Sequence, residues 1–121
     1  MYIDLERLDA TALPSIPEIT AITMAELHQG VAMAKSAAAR AARAEKLGVA
    51  IVDFDPLPFD GDAATRYGSL VALTLEADRD PRPRKLDLMI AAIASSRGLP
   101  LYTRDIDDFA GLDDMVTVIA V

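Results

Sequence analysis

The chain contains no cysteine and a single histidine. Without cysteine there is no disulfide, no thiolate zinc site and no cysteine nucleophile, and nothing argues for an oxidising compartment. A Ser-His-Asp triad would have to use His28, whose neighbours Leu27 and Gln29 form no nucleophile elbow. Acid–base chemistry therefore falls to carboxylates or to metal-bound water. Three tyrosines and three phenylalanines are too few and too scattered for base stacking, and Tyr67 and Phe109 read as packing residues. No apolar run approaches the roughly 20 residues that span a bilayer. Met1-Tyr-Ile-Asp4 also lacks the basic and apolar regions of a signal peptide, so the expected compartment is the cytoplasm, with no membrane partner.

What is present is a chain of 121 residues, 52% hydrophobic and 26% charged, within the usual size of one domain with a buried core. Its net charge of −7 argues against diffuse nucleic-acid binding. The charge is uneven, however. Arg79, Arg82, Arg84 and Lys85 form a basic cluster immediately before Asp87, which reads either as a solvated linker or as a local hold on a phosphate backbone.

Helical and strand signals alternate along the chain. Residues 18–22 read as a short β-rich segment. Thr23 then opens a helix to about Met33, with Glu26 at the capping-box position. An alanine-rich helix is predicted over 36–47, with Arg40, Arg43 and Lys46 on one polar face and Gly48 as its end. Residues 49–54 are apolar and β-branched enough for a strand, stopped by Pro56 and Pro58. A further helix follows from Asp60 towards Ala77, and the loop over 78–83 breaks it. The nearly apolar stretch over 87–97 predicts a core helix closed by Gly98. The last strands are expected at 99–103 and 116–121, joined by a turn or short helix over 106–109 and by Gly111. This alternation favours a three-layer α/β/α sandwich with a central, mainly parallel sheet. Its first strand would be reduced to Met1-Tyr-Ile.

The acids stand at the junctions of these elements. Asp87 opens the core helix, while Asp105 and Asp108 follow a short strand, and parallel sheets keep their sites at such ends. Each has a plain reading: Glu26 as a cap, Asp87 as a partner of the helix dipole, and Asp105, Asp107 and Asp108 as turn formers. Gathered together, carboxylates need a compensating cation, for which Mg²⁺ is suited. Such an ion would activate water for in-line attack on phosphorus, which points to phosphodiester hydrolysis. Beside the acids, the Thr103 hydroxyl is placed to orient a carboxylate or water. Arg104 could hold a phosphate or pair with Asp107 or Asp108.

Four motifs carry a family likeness: Ile22-Thr-Met-Ala-Glu-Leu-His-Gln-Gly30, Leu57-Pro-Phe-Asp60, Lys85-Leu-Asp-Leu-Met-Ile-Ala-Ala91 and Leu101-Tyr-Thr-Arg-Asp-Ile-Asp-Asp-Phe109. In this order they resemble PIN-domain ribonucleases, closest to the VapC-type toxins of bacterial toxin–antitoxin pairs, over about Ile3 to Val121. The resemblance implies an endoribonuclease dependent on Mg²⁺ or Mn²⁺, dimeric, with RNA as substrate and silenced by a VapB-type antitoxin. It also implies Glu26, Asp87 and Asp105 as catalytic acids and metal ligands, with Asp108 as an auxiliary ligand. Many relatives carry Asn in place of Asp105.

The chain departs from the pattern at its start. The family opens on an apolar strand ending in an Asp followed by Thr or Ser, whereas here Asp4 is followed by Leu5-Glu-Arg-Leu8, and Asp4 is not expected to replace that acid. Residues 1–121 are thus expected to form one PIN-like domain truncated at its N-terminus. Two readings follow: an active ribonuclease whose first strand lies upstream of Met1, or an impaired module that retains antitoxin binding. A third, of another class, is a non-enzymatic binding module whose acids only cap helices.

Overall fold

The computed structural model describes residues 17–121. Met1-Tyr-Ile and Asp4 lie outside them. The first described element is α1 (Ala21–Ala32), and its N-cap is Thr20 rather than Thr23. The Thr20 hydroxyl accepts the Thr23 backbone N–H at 3.0 Å, and the two hydroxyls lie 3.1 Å apart. Thr20 also forms a parallel bridge with Leu57, so the β-rich segment expected at 18–22 shrinks to one bridged residue. The Ala21 N–H donates to the Leu57 carbonyl at 2.8 Å, and the Leu57 N–H donates to Ile19 at 2.9 Å. With the cap three residues earlier, Thr23 occupies N3 and Glu26 lies in the second turn. The capping-box reading of Glu26 is thereby corrected, because a side chain that far along cannot reach back to the cap.

Ser36 caps α2 (Ala37–Asp53) by accepting the Ala39 N–H at 3.1 Å. Two of the three basic residues expected on a polar face of α2 turn back onto the end of the first helix: Arg43 Nη1 donates to the Gly30 carbonyl at 2.7 Å and Arg40 Nη2 to the Ala34 carbonyl at 3.3 Å. Arg43 thereby satisfies a carbonyl that the end of α1 leaves open, and Arg40 one in the connection beyond it. The helix does not stop at Gly48, and no strand forms over 49–54. A glycine inside a helix costs only about 1 kcal/mol, which continued hydrogen bonding offsets. The helical period turns only Ala50 inward, leaving Val49, Ile51 and Val52 exposed. Backbone pairing therefore outweighs the strand preference of these side chains. Phe54, already extended, ends the helix ahead of Pro56.

The core lies between α3 (Gly61–Glu76) and α4 (Lys85–Ser96). Asp60 caps α3 through its Oδ1, which accepts the Ala63 N–H at 3.0 Å. Ala63, Leu70 and Thr74 form its buried stripe. Helix α4 is enclosed almost all round: Leu88 and every residue from Ile90 to Ser95 are buried, as its apolar sequence predicts. Phe109 packs into this core, and Tyr67 meets Phe59 edge-on with ring centroids 6.2 Å apart.

Beyond α4 the chain turns at Gly98, in the left-handed region, into β1 (Leu101–Thr103). This strand pairs in parallel with β2 (Val118–Ala120), Leu101 opposite Val118. A 3-10 turn at Ile106–Phe109 connects them, as expected. Ser95 Oγ donates to the Met115 carbonyl at 2.8 Å, tying the core helix to the approach to β2. Among the described residues no helix is long and apolar enough to cross a membrane.

Candidate active site

Glu26 and Asp87 reach the same place from distant parts of the sequence. Glu26 projects from the second turn of α1, whereas Asp87 sits in the first turn of α4, half-buried, and these two helices touch. Both acids line a cavity of about 400 Å³, together with Arg82, Pro83, Lys85 and Leu86.

Asp105 and Asp108 are not among its lining residues. They belong to the turn after β1 and are exposed. The Asp105 N–H donates to Thr103 Oγ1 at 3.0 Å, and the Asp108 N–H donates to the Asp105 carbonyl at 3.0 Å. The buried Thr103 hydroxyl thus holds the backbone of this turn. Arg104 is exposed and pairs with neither Asp107 nor Asp108 among the described residues. No three His, Asp or Glu side chains stand close enough to share a metal among the described residues. Two carboxylates on one cavity do suit Mg²⁺, which takes one or two carboxylates from protein and fills its other positions with water and substrate phosphate.

The basic cluster divides in the folded chain. Arg79 Nη1 donates to the Asp107 carbonyl at 2.8 Å and to the Ala110 carbonyl at 3.4 Å, fastening the turn that follows β1. Arg84 Nη1 donates to the Asp80 carbonyl at 2.9 Å. Arg82 forks onto the Asp80 carboxylate, with Nε 3.1 Å from Oδ1 and Nη2 2.9 Å from Oδ2. Its side-chain hydrogen bonds, reinforced by the Arg82 backbone N–H, hold the Asp80 carboxyl below the ordinary carboxylate range, and Asp80 in turn raises Arg82.

A second, apolar groove of about 540 Å³ runs between α1 and α2, lined by Leu27, Ala42, Glu45, Lys46, Val49, Ala50 and Phe54. A helix ending at Gly48, as expected from the sequence, would have left Val49 and Ala50 off this face. The signal was present: Ala42, Lys46, Val49 and Ala50 follow the i, i+4, i+7, i+8 spacing of one helix face straight through the glycine.

No family model matches the chain. It is 41% identical over 112 residues to Ribonuclease VapC5 of Mycobacterium tuberculosis, an alignment covering 93% of this chain and 80% of that protein. The chain belongs to the VapC family. Solved structures agree. The crystal structure of VapBC-5 from M. tuberculosis, a member of the VapBC family of toxin–antitoxin systems, superposes with a TM-score of 0.81 at 39% identity, over 95% of this chain and 88% of that one. FitAcB from Neisseria gonorrhoeae gives 0.74 at 29% identity, over 90% and 78%. DNA-bound VapBC from Salmonella typhimurium gives 0.70 at 25%, over 84% and 73%. Membership of the VapC family accounts for the α/β sandwich with parallel strands expected from the sequence, of which the described residues carry the helices, one parallel strand pair and one parallel bridge.

Proposed function

We propose that this VapC homologue is an endoribonuclease toxin of the cytoplasm, dependent on Mg²⁺ or Mn²⁺ and neutralised by a VapB-type antitoxin. The observation that carries this reading is the convergence of Glu26 and Asp87, from α1 and α4, on one cavity. The two carboxylates would hold the divalent ion; Asp105 and Asp108, outside the cavity on the turn after β1, would act on it only through water or RNA. Held there, such an ion would supply an activated water and offset charge on the leaving oxygen. The half-buried position of Asp87 in the first turn of a rigid core helix keeps its carboxylate in place while RNA comes and goes.

Asp87→Asn keeps the size of the side chain and removes its charge. Mg²⁺-dependent cleavage of RNA should fall at least a hundredfold, while the circular dichroism spectrum stays unchanged. Cleavage at the parent rate would refute the assignment. A non-enzymatic module with antitoxin binding is the competing reading, because no three acids converge among the described residues. Calorimetric titration with Mn²⁺ separates the two: heat lost on Asp87→Asn supports a metal site, and no heat from the parent chain supports the module.

For the partner, the groove between α1 and α2 fits the apolar face of an antitoxin helix, as in helix-in-groove recognition. The relatives of known structure were solved as VapBC complexes, which favours that occupant over a second copy of the chain. We also infer a homodimer, formed elsewhere on the surface. Val49→Glu should abolish the VapB complex in size-exclusion chromatography and leave the toxin's own oligomeric state unchanged. Loss of the dimer instead would assign this groove to self-association.

A further inference from the structure

The cavity that holds Glu26 and Asp87 presents a difficulty for any polyanionic substrate, because two carboxylates repel the phosphates that must approach them. The same cavity contains two cations, Arg82 and Lys85. Folding has sorted the four basic residues before Asp87 by role. Arg79 and Arg84 are committed to backbone carbonyls and line no part of the cavity. Arg82 is held by the Asp80 carboxylate through Nε and Nη2, so much of its charge is already answered. Lys85 is exposed, makes no hydrogen bond or ion pair among the described residues, and sits two positions before Asp87 in the first turn of α4.

We propose that Lys85 is the phosphate-holding residue of this cavity, gripping the RNA backbone beside the Glu26–Asp87 pair, with Arg82 as a pre-positioned second cation. The proposal rests on the ribonuclease reading for the identity of the polyanion. Its physical content is independent of catalysis: an ammonium ion binds phosphate as a compact point charge. Asp80, by fixing the Arg82 guanidinium, limits how far that second charge can move. The chain as a whole is acidic, at −7, so affinity for RNA has to come from such a local pair rather than from the overall field.

Binding of a short, mixed-sequence single-stranded RNA, measured by fluorescence anisotropy in EDTA across a range of salt, tests this on the full chain. EDTA removes both cleavage and any metal bridge. Lys85→Gln should weaken binding about tenfold, the scale of one charge-assisted hydrogen bond. It should also flatten the slope of log K against log salt by about 0.7, the value for one contact to single-stranded nucleic acid. Lys85→Arg should restore both. Lys35→Gln removes the same charge outside the cavity and should leave the slope unchanged. In Mg²⁺, Lys85→Gln should raise KM for cleavage and spare kcat. Equal slopes for the parent and Lys85→Gln, or no RNA binding by the parent, would overturn the proposal. The two readings fail separately. Parent-rate cleavage by Asp87→Asn sinks the metal-site assignment while a Lys85-dependent slope still stands; Asp87-dependent cleavage with a Lys85-independent slope sinks the phosphate site alone.

Discussion

Replacing Thr20 by valine, which is nearly the same shape, isolates what its hydroxyl does. In the folded chain Thr20 and Thr23 are 0% and 2% exposed, so water cannot substitute for a lost bond. The substitution removes the acceptor of the Thr23 N–H at 3.0 Å and the Thr20 hydroxyl that lies 3.1 Å from the Thr23 hydroxyl. Loss of an N-cap costs about 1 kcal/mol. Losing the contact between the two buried hydroxyls adds about 0.5 to 1.5 kcal/mol. Together, Thr20→Val should destabilise the protein by about 1.5 to 2.5 kcal/mol. Urea denaturation followed by circular dichroism reads this as a midpoint lower by about 0.5 to 2.5 M, for m of about 1 to 3 kcal/mol/M. Glu26→Gln is the informative comparison. A capping-box glutamate would be costly to alter, whereas an exposed acid in the second turn should change stability by less than about 0.5 kcal/mol. Thr20→Val at parent stability, or Glu26→Gln as damaging as Thr20→Val, would refute the assignment of the cap. The second outcome would also return Glu26 to a structural role and weaken its place in the candidate site.

The remaining expectations concern the loops around the core helix. Gly111 has φ 87°, and a Cβ there would lie 2.9 Å from the Ala77 Cβ, so Gly111→Ala should cost about 1 to 3 kcal/mol in urea denaturation. Gly98, at φ 65° with nothing in reach of an added Cβ, should lose only about 1 kcal/mol on the same change. A cost at Gly111 no larger than at Gly98 would refute the close approach to α3. The carboxyl of Asp80 is lowered from 3.8 by Arg82, so whatever stability the pair contributes is present above that value and is lost as pH falls through the lowered one. NMR titration should find the Asp80 carboxyl below the ordinary aspartate value and restored towards it by Arg82→Ala; an unmoved value would show that the fork does not persist in solution.

Local chemistry alone placed several features. Ser36 and Asp60 are short polar residues ahead of helical stripes, and both cap the helices they precede. The run from Leu88 to Ser95 is too apolar to face water on any side, and it is enclosed. The short strands at 101–103 and 118–120, the turn between them and the left-handed glycines at 98 and 111 likewise follow from β-branched and glycine chemistry read over a few residues. Choices between competing local signals needed the tertiary structure. Both Thr20 and Thr23 are good caps, and the earlier one wins because its backbone also pairs with Leu57, some 37 residues on. Val49, Ile51 and Val52 favour a strand, but the helix persists through Gly48 and leaves them exposed, because continued helical hydrogen bonding outweighs that preference. The four cations before Asp87 are equivalent in sequence and unlike in the fold, because only long-range contacts bring the Asp107 carbonyl to Arg79 and the Glu26 cavity to Lys85. Residue types and spacing determined which acids and bases the chain possesses; the packing of α1 against α4 decided that Glu26 and Asp87, rather than Asp105 and Asp108, share a cavity. Proximity between residues about 60 positions apart is a property of how helices pack, and no local signal encodes it.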